Sequence, residues 1–472
     1  MSDQEWETVI GLEVHTELKT ATKMFCGCRN EFGEEPNTNV CPVCLGLPGS
    51  LPVLNHQVVE LAMRIGTALQ CSIEPSVFSR KNYFYPDMPK DYQVSQYDLP
   101  INVEGRLELP EGIVVGIERA HLEEDTGKNT HVGGGGRIHD AEYSLIDYNR
   151  SGVPLVEIVS KPDMRSAEQA RAYVSELRGI LVAVGASDGK MEEGSLRVDA
   201  NVSVRRPGQA LGTRCEIKNV NSIRSLGRAI DYEVQRQVQL IEGGETVEQQ
   251  TRHWNENEGR TSFGRVKSDA DDYRYFPEPD LVPLVPTQAW KAAVSEAMPA
   301  LPAARRHNLA EAAPDVSKDA IHTVVELDLD SIVLGVIERG AEPRLAVNRT
   351  ANEIATQIDK AESLDLDAYA KLLGLEAGGT LTATQAKTVL AELLRTGGDP
   401  QAIADRHGFQ ALDQDALATT VGEIVSAHPE ELARLKDGDQ KLMGFFVGKV
   451  MAATQGKADG KAVTSLLRNH LA

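Results

Sequence analysis

Apolar residues recur along this chain with two different periods, and the place where one gives way to the other divides it. In Thr8–Lys19, Ile10, Leu12, Val14 and Leu18 fall on one face of a two-residue repeat, while Gly11, Glu13, His15 and Glu17 fall on the other. That is the pattern of a strand with one face in a core and one face open. Leu196–Val204 alternates more regularly: residues 196, 198, 200, 202 and 204 are apolar, and Arg197, Asp199, Asn201 and Ser203 share the opposite face. Gly112–Asp125 and the apolar stretches around the Asn149-Arg-Ser-Gly152 turn read as further strands, as does Thr213–Ser222, where Arg214, Glu216 and Lys218 oppose Cys215 and Ile217. Helical spacing runs through residues 55–70, with apolar positions 58, 59, 61, 62, 65, 68 and 69, and through Ser166–Val184. Ser222, a capping residue type, opens another helix that runs to Gly243.

Near Leu281-Val-Pro-Leu-Val-Pro286 the strand patterns cease. Downstream the chain reads as Ala/Leu/Glu helices, broken at the glycine pairs 378–379 and 397–398, and Leu442–Met451 reads as an amphipathic helix with lysine at its rim. The fold class is therefore α+β: a mixed, largely antiparallel sheet with helices, then all-α structure. At 472 residues the chain is too long for one core.

Charge narrows the partners. The formal net charge of −21 argues against a generally basic nucleic-acid coat and against binding to an anionic membrane, but leaves room for a local basic patch. Such a patch is present in Arg434–Ala472, where seven Lys/Arg stand against three Asp. Contact with a phosphate backbone and ordinary compositional variation account for it equally well. No run reaches the 18 or more apolar residues of a membrane helix, and Met1–Glu7 is acidic where a signal peptide is basic then apolar. A cytoplasmic protein is expected.

Four of the six cysteines crowd into nineteen residues, as Cys26-Gly-Cys28 and Cys41-Pro-Val-Cys44. In a reducing compartment two such pairs fit one structural Zn²⁺, whose four thiolates leave no position open for catalysis; unbound structural cysteines are the alternative. Cys71 and Cys215 stand alone and read as small core residues. Ser79–Tyr92 has neither period and is dense in Tyr, Pro and Lys/Arg. It reads as an ordered loop, either wrapping a ligand with Lys81 and Lys90 towards anionic groups or simply rigid at the surface. Arg265–Leu281, with its Tyr-Phe-Pro-acid character, is a candidate second loop of this kind. Glu123-Glu124-Asp125 at a strand end either binds a divalent cation or solvates a turn. Gly133–Gly136 lacks the Gly-Lys-Ser/Thr of a phosphate-binding loop and reads as a flexible hairpin tip.

The polar faces together carry Glu13/His15, Glu123/Glu124, Arg197/Asp199 and Glu216/Lys218. If those faces meet only water, they are surface. If they converge, hard oxygen ligands plus Lys/Arg suit Mg²⁺-assisted phosphoryl transfer. Glu13 and His15, two residues apart, point the same way with Cβ atoms roughly 7 Å apart, close enough to share a metal ion. An independent acyl-transfer or deamidation site is not visible: there is no Gly-rich Ser-Ser stretch with an upstream Lys, and no Cys with a plausible His partner.

Seven ordered motifs carry a family resemblance: Val9-Ile-Gly-Leu-Glu-Val-His15, Lys81-Asn-Tyr-Phe-Tyr-Pro-Asp87, His121-Leu-Glu-Glu-Asp125, Asp147-Tyr-Asn-Arg-Ser-Gly-Val-Pro154, Glu193–Ser203, Glu216-Ile-Lys-Asn-Val-Asn-Ser222 and Asp271–Asp280. With them the chain resembles the B subunit of the bacterial aspartyl/glutamyl-tRNA amidotransferase, closely over the first 285 residues and more loosely beyond. The resemblance implies a cradle domain over 1–292 with a zinc-binding insertion at 26–44, a helical domain over 293–400, and a tRNA-binding helical tail over 401–472. It implies that ATP phosphorylates the side-chain carboxylate of Glu-tRNA(Gln) or Asp-tRNA(Asn), and that ammonia displaces the phosphate. The ammonia comes through a channel from a separate amidase subunit, where glutamine is hydrolysed, and a small third subunit makes up the heterotrimer.

Carried over by motif, Glu13, His15 and Glu124 are first-choice Mg²⁺ ligands, with Glu123, Asp199 and Glu216 as second-choice ligands or orienters. Lys81 and Lys90 line the channel exit or hold phosphate, with Glu124 as gate, while Arg197, Lys218 and Asn201 face ATP phosphates. The implied cofactors are ATP, Mg²⁺ and structural Zn²⁺. Gly133–Gly136 and Ala346-Val-Asn348 depart from the family's usual pattern. Two rivals stand beside this reading. A non-catalytic RNA-binding scaffold would bind tRNA regardless of Mg²⁺ or Glu13, and a free-standing ligase or kinase for a small acid would need neither partners nor tRNA.

Overall fold

The computed structural model describes residues 6–133, 141–266, 273–409, 414–439, 441–454, 458 and 460–470. The Gly134–Gly136 part of the expected hairpin tip, residues 267–272 of the second loop, and Lys457 and Asp459 of the basic tail lie outside them. Two compact units are found, Met1–Pro302 and Ala303–Ala472.

The first unit is built on a sheet of 12 strands. Its centre is β1, Glu7–Glu17, and the alternation seen in the sequence is what puts it there. Ile10, Leu12 and Val14 are buried on one side, while Glu13, His15 and Glu17 are half-buried on the other. The other strands that matter here are β2 (Ser72–Ile73), β3 (Ser79–Asn82), β4 (Tyr92–Ser95), β5 (Asn102–Glu108) and β6 (Val114–Glu124). After the small separate hairpin of β7 (Lys128–Val132) and β8 (Tyr143–Asp147) come β9 (Pro154–Ser160), β10 (Leu196–Arg205), β11 (Cys215–Val220), β12 (Gln250–Asn255), β13 (Arg260–Val266) and β14 (Phe276–Pro277). The spatial order is β13-β12-β11-β10-β1-β9-β6-β4-β3-β14, with β5 also paired to β6 and to β2. β11 and β12 run parallel; the other recorded pairings in this sheet are antiparallel.

Three helices on the apolar side form where the sequence spacing predicts them: α1 (His56–Ala68), α2 (Ala167–Ala183) and α3 (Ile223–Glu242). Each starts at a capping side chain, that of Asn55, Ser166 and Ser222 respectively, which accepts the otherwise orphaned backbone N–H of Gln57, Gln169 and Ser225. Val58, Val59, Met63 and Ile65 from α1 and Tyr173, Val174 and Leu177 from α2 join Leu12 and Val14 in one core. That core holds β1 rigidly and leaves its other face free for chemistry.

The second unit is helical throughout its described residues. It contains two separate buried clusters, one from Leu309 to Ala404 and one from Leu417 to Leu467. The glycine pairs act as expected: helix Leu366–Ala377 is capped at Gly378, and helix Ala383–Thr396 ends at Gly397, whose φ of +65° suits a residue without Cβ. Among the described residues no helix is long and apolar enough to cross a membrane.

Candidate active site

Register explains how the open face of β1 is furnished. Directly opposite His15 stands Glu157 of β9 on one side and Arg197 of β10 on the other; directly opposite Glu13 stands Asp199 of β10. Side chains facing each other across a ladder share a side of the sheet. Neighbouring β6 pairs His121 with Glu157.

Two groups of oxygen and nitrogen ligands result. In the first, His15 Nε2 lies 3.4 Å from Glu123 Oε1 and 3.7 Å from Glu157 Oε2, and His121 Nε2 lies 3.4 Å from Glu157 Oε2. In the second, Glu13, Asp199 and Glu216 bring one carboxylate oxygen each within 4.8 Å of one another. Lys218 Nζ binds Asp199 at 2.6 Å with Glu216 at 3.5 Å, and Asn201 donates to Glu13 at 2.9 Å. Two residues apart on one face of the strand, Glu13 and His15 thus head separate groups instead of sharing one, because one leans towards β10 and the other towards β9.

Burial shapes the first group. Desolvation and the neighbouring Glu157 carboxylate push the Glu123 carboxyl above its ordinary range. Glu157 goes the other way: burial opposes its charge, but His121, His15, Lys81 and Arg119 together hold its carboxyl below the usual range. Burial lowers fully enclosed His121 to about 4, so it is neutral at pH 7. An excess of carboxylates with imidazole nitrogen beside them is a donor set that fits a hard divalent cation, and Asn201 Oδ1, buried without a partner, adds an oxygen at the second group.

Glu124 is placed elsewhere. Although next to Glu123, it points to the other side of β6, where it takes a short hydrogen bond from Lys90 and another from the Val94 N–H at 2.9 Å. Both side chains are almost wholly buried. They line a small cavity of about 60 Å³ with Tyr92, Glu278, Asp280 and two of the clustered cysteines. Lys81 sits over the Tyr273 ring at 4.9 Å. Arg197, expected to face phosphate, instead donates to Asp125 at 2.6 Å, with Arg150 3.4 Å from the same carboxylate. The second loop returns to the sheet through Glu278, which accepts two bonds from Arg80, at 2.6 and 2.7 Å.

The four clustered thiols also meet: Cys26, Cys28, Cys41 and Cys44 bring their sulfurs within 4.8 Å of one another, Cys41 and Cys44 at 3.8 Å. Tetrahedral Zn–S bonds of about 2.3 Å require sulfur–sulfur edges of about 3.8 Å, so the residues fit zinc. The Cys44 sulfur also accepts the Cys41 N–H at 3.0 Å, and the fully buried Lys23, bonded to the Asn39 carbonyl at 3.0 Å, adds positive charge beside thiolates. Of the solitary cysteines, Cys215 is buried and Cys71 half-buried.

Sequence reasoning missed Glu157 and His121. The signal for Glu157 was a lone acid in the otherwise apolar run Pro154–Ser160, a strand covered on both faces.

A family model described as the GatB/GatE catalytic domain matches residues 8–292, and one described as the GatB domain matches residues 332–471. Proteins named as the B subunit of aspartyl/glutamyl-tRNA(Asn/Gln) amidotransferase align along nearly the whole chain. The one from Leifsonia xyli is 47% identical, covering 98% of this chain and 96% of its own length. Those from Salinispora tropica and Moorella thermoacetica are 48% and 47% identical, each covering 99% of this chain, and 96% and 100% of their own lengths. The chain belongs to the family of these amidotransferase B subunits.

Proposed function

We propose that this chain carries the phosphorylation and amidation centre of a tRNA-dependent amidotransferase that converts Glu-tRNA(Gln), Asp-tRNA(Asn) or both to the amides. The observation that carries the reading is the pair of ligand groups headed by two same-face residues of one strand, His15 with Glu123 and Glu157, and Glu13 with Asp199 and Glu216. In this reading both groups hold Mg²⁺, which when bound supplies positive charge to phosphate oxygens. The carboxylate of the aminoacyl side chain attacks the γ-phosphorus of ATP, and ADP leaves. Oxide, a poor leaving group, has thereby become phosphate, which ammonia then displaces. Lys218, Asn201 and Arg197 hold phosphate oxygens, Lys218 and Arg197 leaving their present carboxylate partners to do so. Lys81, Lys90 and Glu124 serve the passage of ammonia into the site, with the Lys90–Glu124 pair as gate.

The glutaminase step belongs in this reading to a separate amidase subunit, held to this chain by a small third subunit in a cytoplasmic heterotrimer. We also infer three domains, a cradle over 1–292 with its structural zinc at 26–44, a helical domain over 293–400 and a tail over 401–472, the last two binding misacylated tRNA. The two separate buried clusters of the second unit, the first running to Ala404 and the second starting at Leu417, support a helical part followed by a tail. Which tRNA is used depends on the misacylating synthetases of the cell.

The test is ATP cleavage by the complex reconstituted with its amidase and small subunits, with and without Glu-tRNA(Gln), for wild type, Glu13→Ala and His15→Ala. Loss of tRNA-dependent cleavage and of amide formation, with tRNA binding retained, supports the reading. Cleavage at the wild-type rate in both variants overturns it.

A further inference from the structure

The clustered cysteines lie against the Lys90–Glu124 pair through contacts of unusual closeness. Gly46, two residues after Cys44, has φ +66°, and a Cβ there would lie 2.3 Å from Lys90 Cγ and 3.1 Å from Lys90 Cβ. Only a residue without a side chain lets the knuckle press on the lysine stem in this way. Behind the pair, Gly152 has φ +83°, and a Cβ there would meet Cys44 Cβ at 3.6 Å, Lys23 Cδ at 3.7 Å and Glu124 Oε2 at 4.0 Å. Hydrogen bonds connect the same parts. Ser151 Oγ donates to the Cys44 carbonyl at 3.3 Å, the Met24 N–H donates to the Gly152 carbonyl at 2.9 Å, and the Gly152 N–H donates to the Asp125 carbonyl at 3.0 Å, one residue from Glu124. Cys26, Cys44, Gly46, Lys90, Glu124 and Gly152 all line the one cavity.

We propose that the four-cysteine knuckle is the seat of the Lys90–Glu124 pair, with Gly46 the positioning residue through which metal-bound geometry fixes Lys90. The loop Cys41–Asn55 is without helix or strand of its own until α1 begins, so its shape depends on the thiolates being held together. Released, it no longer presses on the lysine stem, and Lys90 gains both room and water. A structural metal would in this way set the geometry of a group it does not touch. The consequence for catalysis rests on the reading of Lys90 and Glu124 given above; the seat itself does not.

The experiment is residue-resolved labelling of lysine amines by an acylating reagent, read by mass spectrometry on the full chain, with zinc content measured on each sample. The samples are zinc-loaded wild type, chelator-stripped wild type, zinc-loaded Gly46→Ala and zinc-loaded Gly27→Ala, a knuckle glycine with open space where a Cβ would stand. Lys291, whose amine binds the Ile73 carbonyl far from the knuckle in sequence, reports whether the unit stays folded. We expect Lys90 labelling to rise on the order of tenfold on stripping and in Gly46→Ala, with Lys291 unchanged and Gly27→Ala like wild type. Lys90 staying protected in stripped protein and in Gly46→Ala overturns the proposal. Should stripping also expose Lys291, zinc-loaded Gly46→Ala decides alone, exposure of Lys90 supporting the seat and protection overturning it. In the reconstituted complex, Gly46→Ala is expected to cleave ATP but form less amide per ATP. Labelling that rises with amide yield unchanged upholds the seat and overturns the role given to Lys90.

Discussion

Buried charge is handled differently in the two units. In the helical unit Arg349 is buried, with Nε on Glu376 at 2.8 Å, one amine on Glu353 at 3.2 Å and the other on the Ala383 carbonyl at 2.8 Å; Lys387 adds a second cation to Glu353 at 2.8 Å. Two cations meet two anions, and the cluster ties three segments together. On the open face of β1 the pairing is looser: Lys218 serves both Asp199 and Glu216, while Glu123 and Glu157 lie against two histidines of which one is neutral, with Lys81 and Arg119 acting on Glu157 through space. A matched cluster serves the fold. A mismatched one costs stability and is expected where a cation or phosphate is to arrive.

The largest effect expected from this contrast is on stability. Arg349→Met strips Glu376 of its cation and leaves Glu353 with the exposed Lys387 alone, and should lower the unfolding free energy of the helical unit by about 3 kcal/mol in a denaturant titration. On the charged face the loss should fall on chemistry instead. Glu123→Gln is expected to reduce tRNA-dependent ATP cleavage on the order of a hundredfold, while its thermal midpoint in metal-free buffer equals or exceeds that of wild type. A variant that unfolded like Arg349→Met would erase the distinction between the two clusters. Smaller, and decisive for charge, is the response to Mg²⁺: at ten times its dissociation constant the cation should stabilise wild type by about 1.4 kcal/mol, and His15→Ala and Glu13→Ala by less, as read by thermal shift. The smallest is local. Thr382 and Gln385 form a complete capping box, and Thr382→Ala should cost about 1 kcal/mol with ATP cleavage untouched.

Much of the charged face could be read from the sequence because a strand's alternation reveals which side chains share a face. Glu13, His15, Asp199 and Asn201 were found that way, and the four cysteines by spacing alone. What alternation cannot give is which strands become neighbours. Glu157 sits in a run that alternates poorly because β9 is covered on both sides, and it becomes a ligand candidate only once the ladder sets it opposite His15. The same lack of register information hid the separation of Glu13 from His15, whereas Glu123 and Glu124, consecutive in β6, are parted by the alternation itself. Arg197 and Lys218 read as open cations in one dimension, but both lie against carboxylates contributed by strands or turns distant in sequence or across a ladder. The helices were easier, since apolar spacing and Asn55, Ser166 and Ser222 are local signals.

The antiparallel ladders on both sides of β1 have a further consequence for how this protein ages and fails. With β10 along nearly its full length and β9 over Glu13–Glu17, the backbone amides under the site are held in an interior strand, the kind of position that exchanges hydrogen with solvent only through global opening. Glu13 and His15 therefore have no local route to disorder: heat inactivation of catalysis should coincide with melting of the whole first unit, and deuterium uptake at Val14 should be among the slowest in the chain.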